Sequence, residues 1–245
     1  MKRKGRITES TVFRKTLGIS AAAAAGFLFS GTSVGGASAF ADISLAGALE
    51  VSRSAAVFLG SLLFSFISGN IGHNIVKLAA MVLILIAKLL IEKFDPKTCG
   101  IYTAVSVFLA GTAVSAVIGE LLLKLAFYVF YSLLSGITAF SASCVLSDIK
   151  HKHVIDLSFS GYCYAVVYTI YTASLCSINI PLLNIGVIIG AAATLIAAFH
   201  YGQVGGVMCG ALTACAAFLT SAETGMTVVL LPAVGLLTGY LHRRR

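Results

Sequence analysis

Residues Cys99–Gly119 read CGIYTAVSVFLAGTAVSAVIG, a run without a single charged side chain. A helix crosses the hydrocarbon core of a bilayer with about 20 predominantly apolar residues, and this run is long enough to do so. Its apolar residues do not alternate with polar ones, which argues against a strand of a membrane barrel. The same texture continues on both sides. Apolar segments follow one another at Thr16–Gly31, Ser33–Leu49, Ser54–Ser68, Ile75–Ile91, Cys99–Gly119, Leu121–Leu146, Ile155–Leu175, Leu183–His200, Gln203–Thr220 and Met226–Leu241. The expectation is an all-α, polytopic integral membrane helix bundle of about ten short spans.

Composition supports this class. Of 245 residues, 58% are hydrophobic and 11% charged, and the mean hydropathy is +0.98. Soluble domains carry roughly 25% charged residues, so most of this chain cannot face water. The net charge of +8 sits in clusters between apolar runs, the pattern that orients a membrane protein, and it does not point to nucleic acid. Trp is absent, which leaves Tyr as the interfacial aromatic.

Charge placement predicts the organisation. Residues 1–15 form a basic cytoplasmic N-terminus, residues 16–241 the multi-pass membrane domain, and residues 242–245 a basic cytoplasmic tail. With ten crossings, every Lys and Arg except Lys77 and Lys124 falls on the inner side, in the N-terminus, at Arg53, in the Lys88–Lys97 turn, in the Lys150–His153 turn and at Arg243–Arg245. The positive-inside rule favours that phase, with both termini cytoplasmic and the plasma membrane as location. The first 41 residues also resemble a secretory signal, with an apolar run after basic residues and small residues at Ala37, Ala39 and Ala41. A single crossing there would move the later basic clusters outside, so the first 50 residues are expected to cross twice or to dip in and return. Gly31, Gly35 and Gly36 offer the turn.

Few side chains could carry chemistry. Asp42 falls inside an apolar segment, near Glu50 and Arg53, and is the leading intramembrane polar residue; it marks either a buried carboxylate or a re-entrant element. Glu120 and Lys124 stand four apart in the order that favours a helical ion pair, at the edge of two spans. Lys88, Glu92, Lys93, Asp95 and Lys97 around Pro96 read as a solvated cytoplasmic turn. His151 and His153 are flanked by Lys150 and Lys152, which oppose a metal dication. The cysteines form no CxxC pair and behave as small hydrophobes. No cofactor or metal is expected, and no signature of a nucleophile elbow, zinc protease, kinase or phosphate loop occurs. No catalytic residue emerges, and the chain is expected not to be an enzyme.

Small residues recur at helical spacing: Gly18, Ala22 and Gly26; Gly186 and Gly190; Gly206, Gly210 and Ala214; Gly235 and Gly239. Such ladders let helix backbones approach closely in lipid and could equally serve self-association.

The segments AGALEVSRSAAVFLG (Ala46–Gly60), VIIGAAATLIAAFHYGQVGGVMCG (Val187–Gly210) and LLPAVGLLTGYL (Leu230–Leu241), set in this array of short spans, resemble the N-terminal membrane region of stage II sporulation protein E. The resemblance implies a membrane anchor and assembly module at the sporulation septum, partnered by a cytoplasmic phosphatase or cell-division protein. The family's phosphatase domain and its metal-binding aspartates have no counterpart here, so no activity carries over. The alternative is a small multi-pass transporter or substrate-binding membrane subunit, with Asp42, Glu120, Asn179 and Asn184 as polar groups and Pro181 and Pro232 as helix interrupters.

Overall fold

The computed structural model describes residues 2–34, 37–38, 40–69, 71–91, 95–119, 121–151, 159–180 and 183–243. Glu120, His153 and Pro181 lie outside them. The architecture is helical, with two antiparallel ribbons of two-residue strands. The chain divides into two compact units, one comprising Met1–Ser30 and Phe40–His153, the other Gly31–Ala39 and Val154–Arg245.

The first unit holds α1 (Lys2–Ser30), α2 (Ala41–Ala48), α3 (Val51–Ile67), α4 (Ile71–Leu90), α5 (Pro96–Ile118) and α6 (Leu121–His151). Local chemistry sets several boundaries. Pro96 opens α5, where its fixed φ suits a first helical position. Gly119, at φ 81°, closes it in the left-handed region that glycine enters without cost. Gly69, at φ 67°, ends α3 before α4.

Helix directions follow from paired contacts. Gly18 meets Arg53, Gly26 meets Val57, and the rings of Phe27 and Phe64 stack edge to face at 5.4 Å. The numbers rise together, so α1 and α3 run parallel. Two parallel helices joined by residues 31–50 require that segment to carry the chain back. The return leg is α2, antiparallel to α3, since Asp42 meets Ser61 and Ala46 meets Ser54. The backbones of α1 and α3 nearly touch: a Cβ on Gly26 would lie 2.2 Å from the Val57 carbonyl oxygen, and one on Gly60 2.0 Å from that of Ala23.

The second unit holds ribbon strands β1 (Ser33–Val34) and β2 (Ala37–Ser38), then α7 (Phe159–Cys176), β3 (Asn179–Ile180), β4 (Leu183–Asn184), α8 (Ile185–Thr220), α9 (Ala222–Val228) and α10 (Leu231–Arg243). Ser33 pairs with Ser38 and Val34 with Ala37; Asn179 pairs with Asn184 and Ile180 with Leu183. The helical run α8 breaks at Gly202, where φ is 69° and ψ −152°. Gly190 packs on Thr213 and Gly206 on Ala198, so residues 185–201 and 203–220 are two antiparallel helices folded about that glycine. This matches the sequence division between His200 and Gln203. Asn184 caps the first half: its Oδ1 accepts from Val187 N at 3.1 Å, and its Nδ2 donates to the Cys176 carbonyl at 2.7 Å. Pro232 lies in the first turn of α10 and opens that helix, with no interruption of it.

The expectation of ten helical spans requires correction. Among the described residues, four helical stretches are long and apolar enough to cross a membrane, Pro96–Ile118, Lys124–Ile149, Ile185–Thr220 and Ala222–His242, of which Ile185–Thr220 is folded in two at Gly202 and Ala222–His242 comprises α9 and α10; Val51–Ile67 is a shorter apolar helix. Among its described residues, the segment Ser33–Leu49 contains only the eight helical residues of α2. At 1.5 Å per residue these cover about 12 Å, well under the roughly 30 Å of a hydrocarbon core. The helix stops where Leu49 turns to extended backbone, at φ −81° and ψ 164°.

Candidate functional site

The site is built around α2. Ala41, Asp42, Ile43 and Ala46 are fully buried, and α1, α3, α4, α5 and α6 all pack against this one short helix. Its small side chains permit that crowding. A Cβ on Gly47 would fall 2.1 Å from Thr103 Oγ1 and 3.2 Å from Ala139 Cβ. Phe40, just before α2, sets its ring edge-on to Tyr131 of α6 at 5.8 Å.

Burying a short helix creates a problem at each end, because the first N–H groups and the last carbonyls lack helical partners. At the N-terminal end, Asp42 Oδ1 accepts from Ile43 N at 2.9 Å, and its negative charge complements the positive pole of the helix. Asp42 Oδ2 stands 3.6 Å from Lys77 Nζ and 3.3 Å from Ser61 Oγ. Lys77 Nζ donates to the Ser30 carbonyl at 2.8 Å, and Ser61 Oγ also reaches the Gly26 carbonyl at 3.1 Å. The pair therefore ties the end of α1, the start of α2, the middle of α3 and α4 together.

At the C-terminal end, Lys88 Nζ donates to the Ala46 carbonyl at 2.7 Å, to the Leu49 carbonyl, and to Ser54 Oγ at 2.8 Å. Ser54 Oγ in turn reaches the Ala46 carbonyl at 2.7 Å and the Leu49 carbonyl at 3.0 Å. An ammonium has three donors, and here three oxygens meet them. The cation sits at the negative pole of α2.

Both lysines come from α4. Its buried face carries Asn74, Lys77, Met81, Ile84 and Lys88, a three–four spacing that keeps one stripe against the core. The sequence reading places Lys77 on the outer side and Lys88 in a solvated turn. The solvated turn is corrected for Lys88, which lies within α4 and is 5% exposed; Lys77, also within α4, is 2% exposed. Burying an unpaired charge is costly, so these three charges persist because each is met by partners. The satisfaction is uneven, however. Among the described residues, Lys77 donates one hydrogen bond, to Ser30, and the Ser30 Oγ is buried with no hydrogen-bond partner.

Other expected site residues sit elsewhere. Lys124 is exposed on the first turn of α6, and its companion Glu120 is outside the described residues. Gly18 faces the Arg53 guanidinium, with 3.2 Å from a would-be Cβ to Nε. Gly206, Gly210, Gly235 and Gly239 line the antiparallel contact between the second half of α8 and α10. A Cβ on Gly206 would lie 2.4 Å from the Gly235 carbonyl oxygen, one on Gly210 2.8 Å from that of Leu231, and one on Gly239 2.5 Å from Gln203 N. Near the Gly202 turn, a shallow groove of about 350 Å³ is lined by residues including Phe199, Tyr201, Val204 and His242. The His242 ring packs edge-on to Phe199 at 4.9 Å. Among the described residues, no cluster of His, Cys, Asp or Glu could hold a metal ion.

Long apolar helices with charges buried against helix ends define a helical integral membrane protein. No protein-family model, curated protein or solved structure matches the chain.

Proposed function

We propose that the chain is a non-catalytic membrane anchor and assembly module, of the kind formed by the membrane region of stage II sporulation protein E. Its place is the plasma membrane at the sporulation septum, with both termini cytoplasmic. One observation carries the reading: the charged groups in the core are spent on holding α2, from Asp42 at one end to Lys88 at the other. Charges used in this way build a rigid platform. The basic N-terminus and the Arg243–Arg245 end then present the platform to the cytoplasm, where a phosphatase or division protein would dock. The lipid bilayer is its solvent, and the glycine ladders are available for self-association.

A septal test is direct. A fluorescent fusion should gather at the asymmetric septum of sporulating cells, and cross-linking should recover a cytoplasmic partner. Uniform membrane fluorescence with no septal enrichment would sink the reading. Reporter fusions after Lys97, Lys152 and Arg245 should all report cytoplasm.

A second reading, a small transporter or substrate-binding subunit, draws on the Asp42–Lys77 end. There a broken element in the bundle interior carries opposite charges and a buried Ser30 hydroxyl without a partner, a setting transporters use for substrate and ion sites. Screening small metabolites for a saturable rise in melting temperature separates the two. A hit abolished by Asp42→Asn would favour transport over anchoring.

A further inference from the structure

We propose that the Ala46 carbonyl, the Leu49 carbonyl and Ser54 Oγ form an ammonium site, which Lys88 fills as a tethered ligand. The geometry stands apart from either functional reading. Three oxygens from two consecutive elements converge on one nitrogen, which is 2.7 Å from Ala46 O and 2.8 Å from Ser54 Oγ and also bonds Leu49 O. The three oxygens are also tied to one another without the lysine's help. Ala46 is in the buried last turn of α2, Leu49 is the half-buried residue that caps it, and Ser54, itself fully buried, is bonded to both carbonyls.

The chemistry of the tripod selects its ligand class. The oxygens are neutral carbonyls and a hydroxyl. A magnesium or calcium ion usually draws carboxylates into its shell, and none of these three atoms belongs to one. A monovalent cation suits the neutral oxygens and the negative pole of α2. Among monovalent cations, one with N–H donors matches three acceptors directly, so ammonium and small primary amines fit best. In the intact chain, Lys88 supplies this ammonium from α4 without loss to solution. Removing its side chain leaves three oriented oxygens that a soluble ammonium can take.

The test uses the full chain purified in detergent micelles. Melting temperature is followed while ammonium chloride or methylammonium chloride replaces tetramethylammonium chloride at constant ionic strength. Tetramethylammonium carries the charge but has no N–H donor. Lys88→Ala should melt lower than the wild type, and ammonium and methylammonium should restore at least half of the loss saturably. The wild type should not respond, and neither should Lys88→Ala combined with Ser54→Ala. A Lys88→Ala protein that gains nothing from ammonium, or gains as much from tetramethylammonium, overturns the proposal. Should Lys88→Ala not accumulate, Ser54→Ala alone decides. Loss of one of three acceptors must lower the melting temperature with Lys88 present, and an unchanged value overturns the site.

Discussion

Lys77 and Lys88 project from the same face of α4 and grip opposite ends of α2. Eleven residues separate them, about three helical turns or 16 Å, and the two side chains reach Asp42 at the start of α2 and the Ala46 and Leu49 carbonyls at its end. The spacing along one helix thus measures the length of another. It also makes α4 parallel to α2, with the positive side chains serving the carboxylate at one pole and the carbonyls at the other.

The pair at the first end should show strong coupling. Asp42→Asn or Lys77→Met alone leaves a buried charge without its partner, and each should cost about 3–5 kcal/mol. The double variant should lose less than the sum, because neither charge then remains. Denaturant unfolding of all four proteins in micelles measures the cycle. Strict additivity would mean that Asp42 and Lys77 do not sense each other.

Close packing of α8 against α10 depends on missing side chains. Gly206→Ala and Gly235→Ala each place a Cβ less than 2.5 Å from the other's carbonyl oxygen. Backbone cannot retreat as a side chain can, so each should cost about 1–3 kcal/mol. Gly72→Ala is the control. No atom lies within 4 Å of its would-be Cβ, and that variant should be unchanged or up to about 1 kcal/mol more stable. Melting temperatures of the three decide the matter.

Gly202 makes a different demand. A side chain there would meet open space, yet φ 69° with ψ −152° is a backbone region essentially reserved for glycine. Gly202→Ala should therefore destabilise by about 1–3 kcal/mol through the backbone alone. Gly202→Asn should not rescue it, since asparagine tolerates the left-handed helical region but not this one. Equal stability of wild type and Gly202→Ala would show that residues 185–201 and 203–220 can join by another turn.

Asn184 links two neighbours by separate atoms, so Asn184→Asp is informative. It keeps the acceptor for Val187 N and removes the donor to the Cys176 carbonyl. Asn184→Ala removes both and should cost more, about 1 kcal/mol for the cap and a further contribution of similar size for the second bond. Unfolding of the two variants side by side separates these roles.

Membrane character and helical class are legible in runs such as Cys99–Gly119, because lipid demands length and apolarity that no loop supplies. The break near Gly202 is legible as well, since His200, Gln203 and the glycines interrupt the apolar run. Asp42 attracts notice as a carboxylate among apolar residues, but its partners do not show in the sequence. Lys77 stands far from it along the chain, and the closeness of Lys88 to Glu92, Lys93 and Asp95 makes it look like part of a turn. The signal that finds both lysines is the stripe Asn74, Lys77, Met81, Ile84 and Lys88, one helix face with polar ends and an apolar centre. Helix length in Ser33–Leu49 is the least legible feature. Its mean hydropathy suits a span, whereas among its described residues only the eight of α2 are helical, and these run antiparallel to α3.

That return leg bears on the order of events during synthesis. When α2 emerges from the ribosome, its carboxylate has no ammonium and its last carbonyls have no cation, because residues 77 and 88 are still to be made. A segment so short and so incompletely served is poorly suited to entering lipid by itself. Its integration is then expected to wait until α4 is translated, with α2 drawn in between α1, α3 and α4 before α5 and α6 are made.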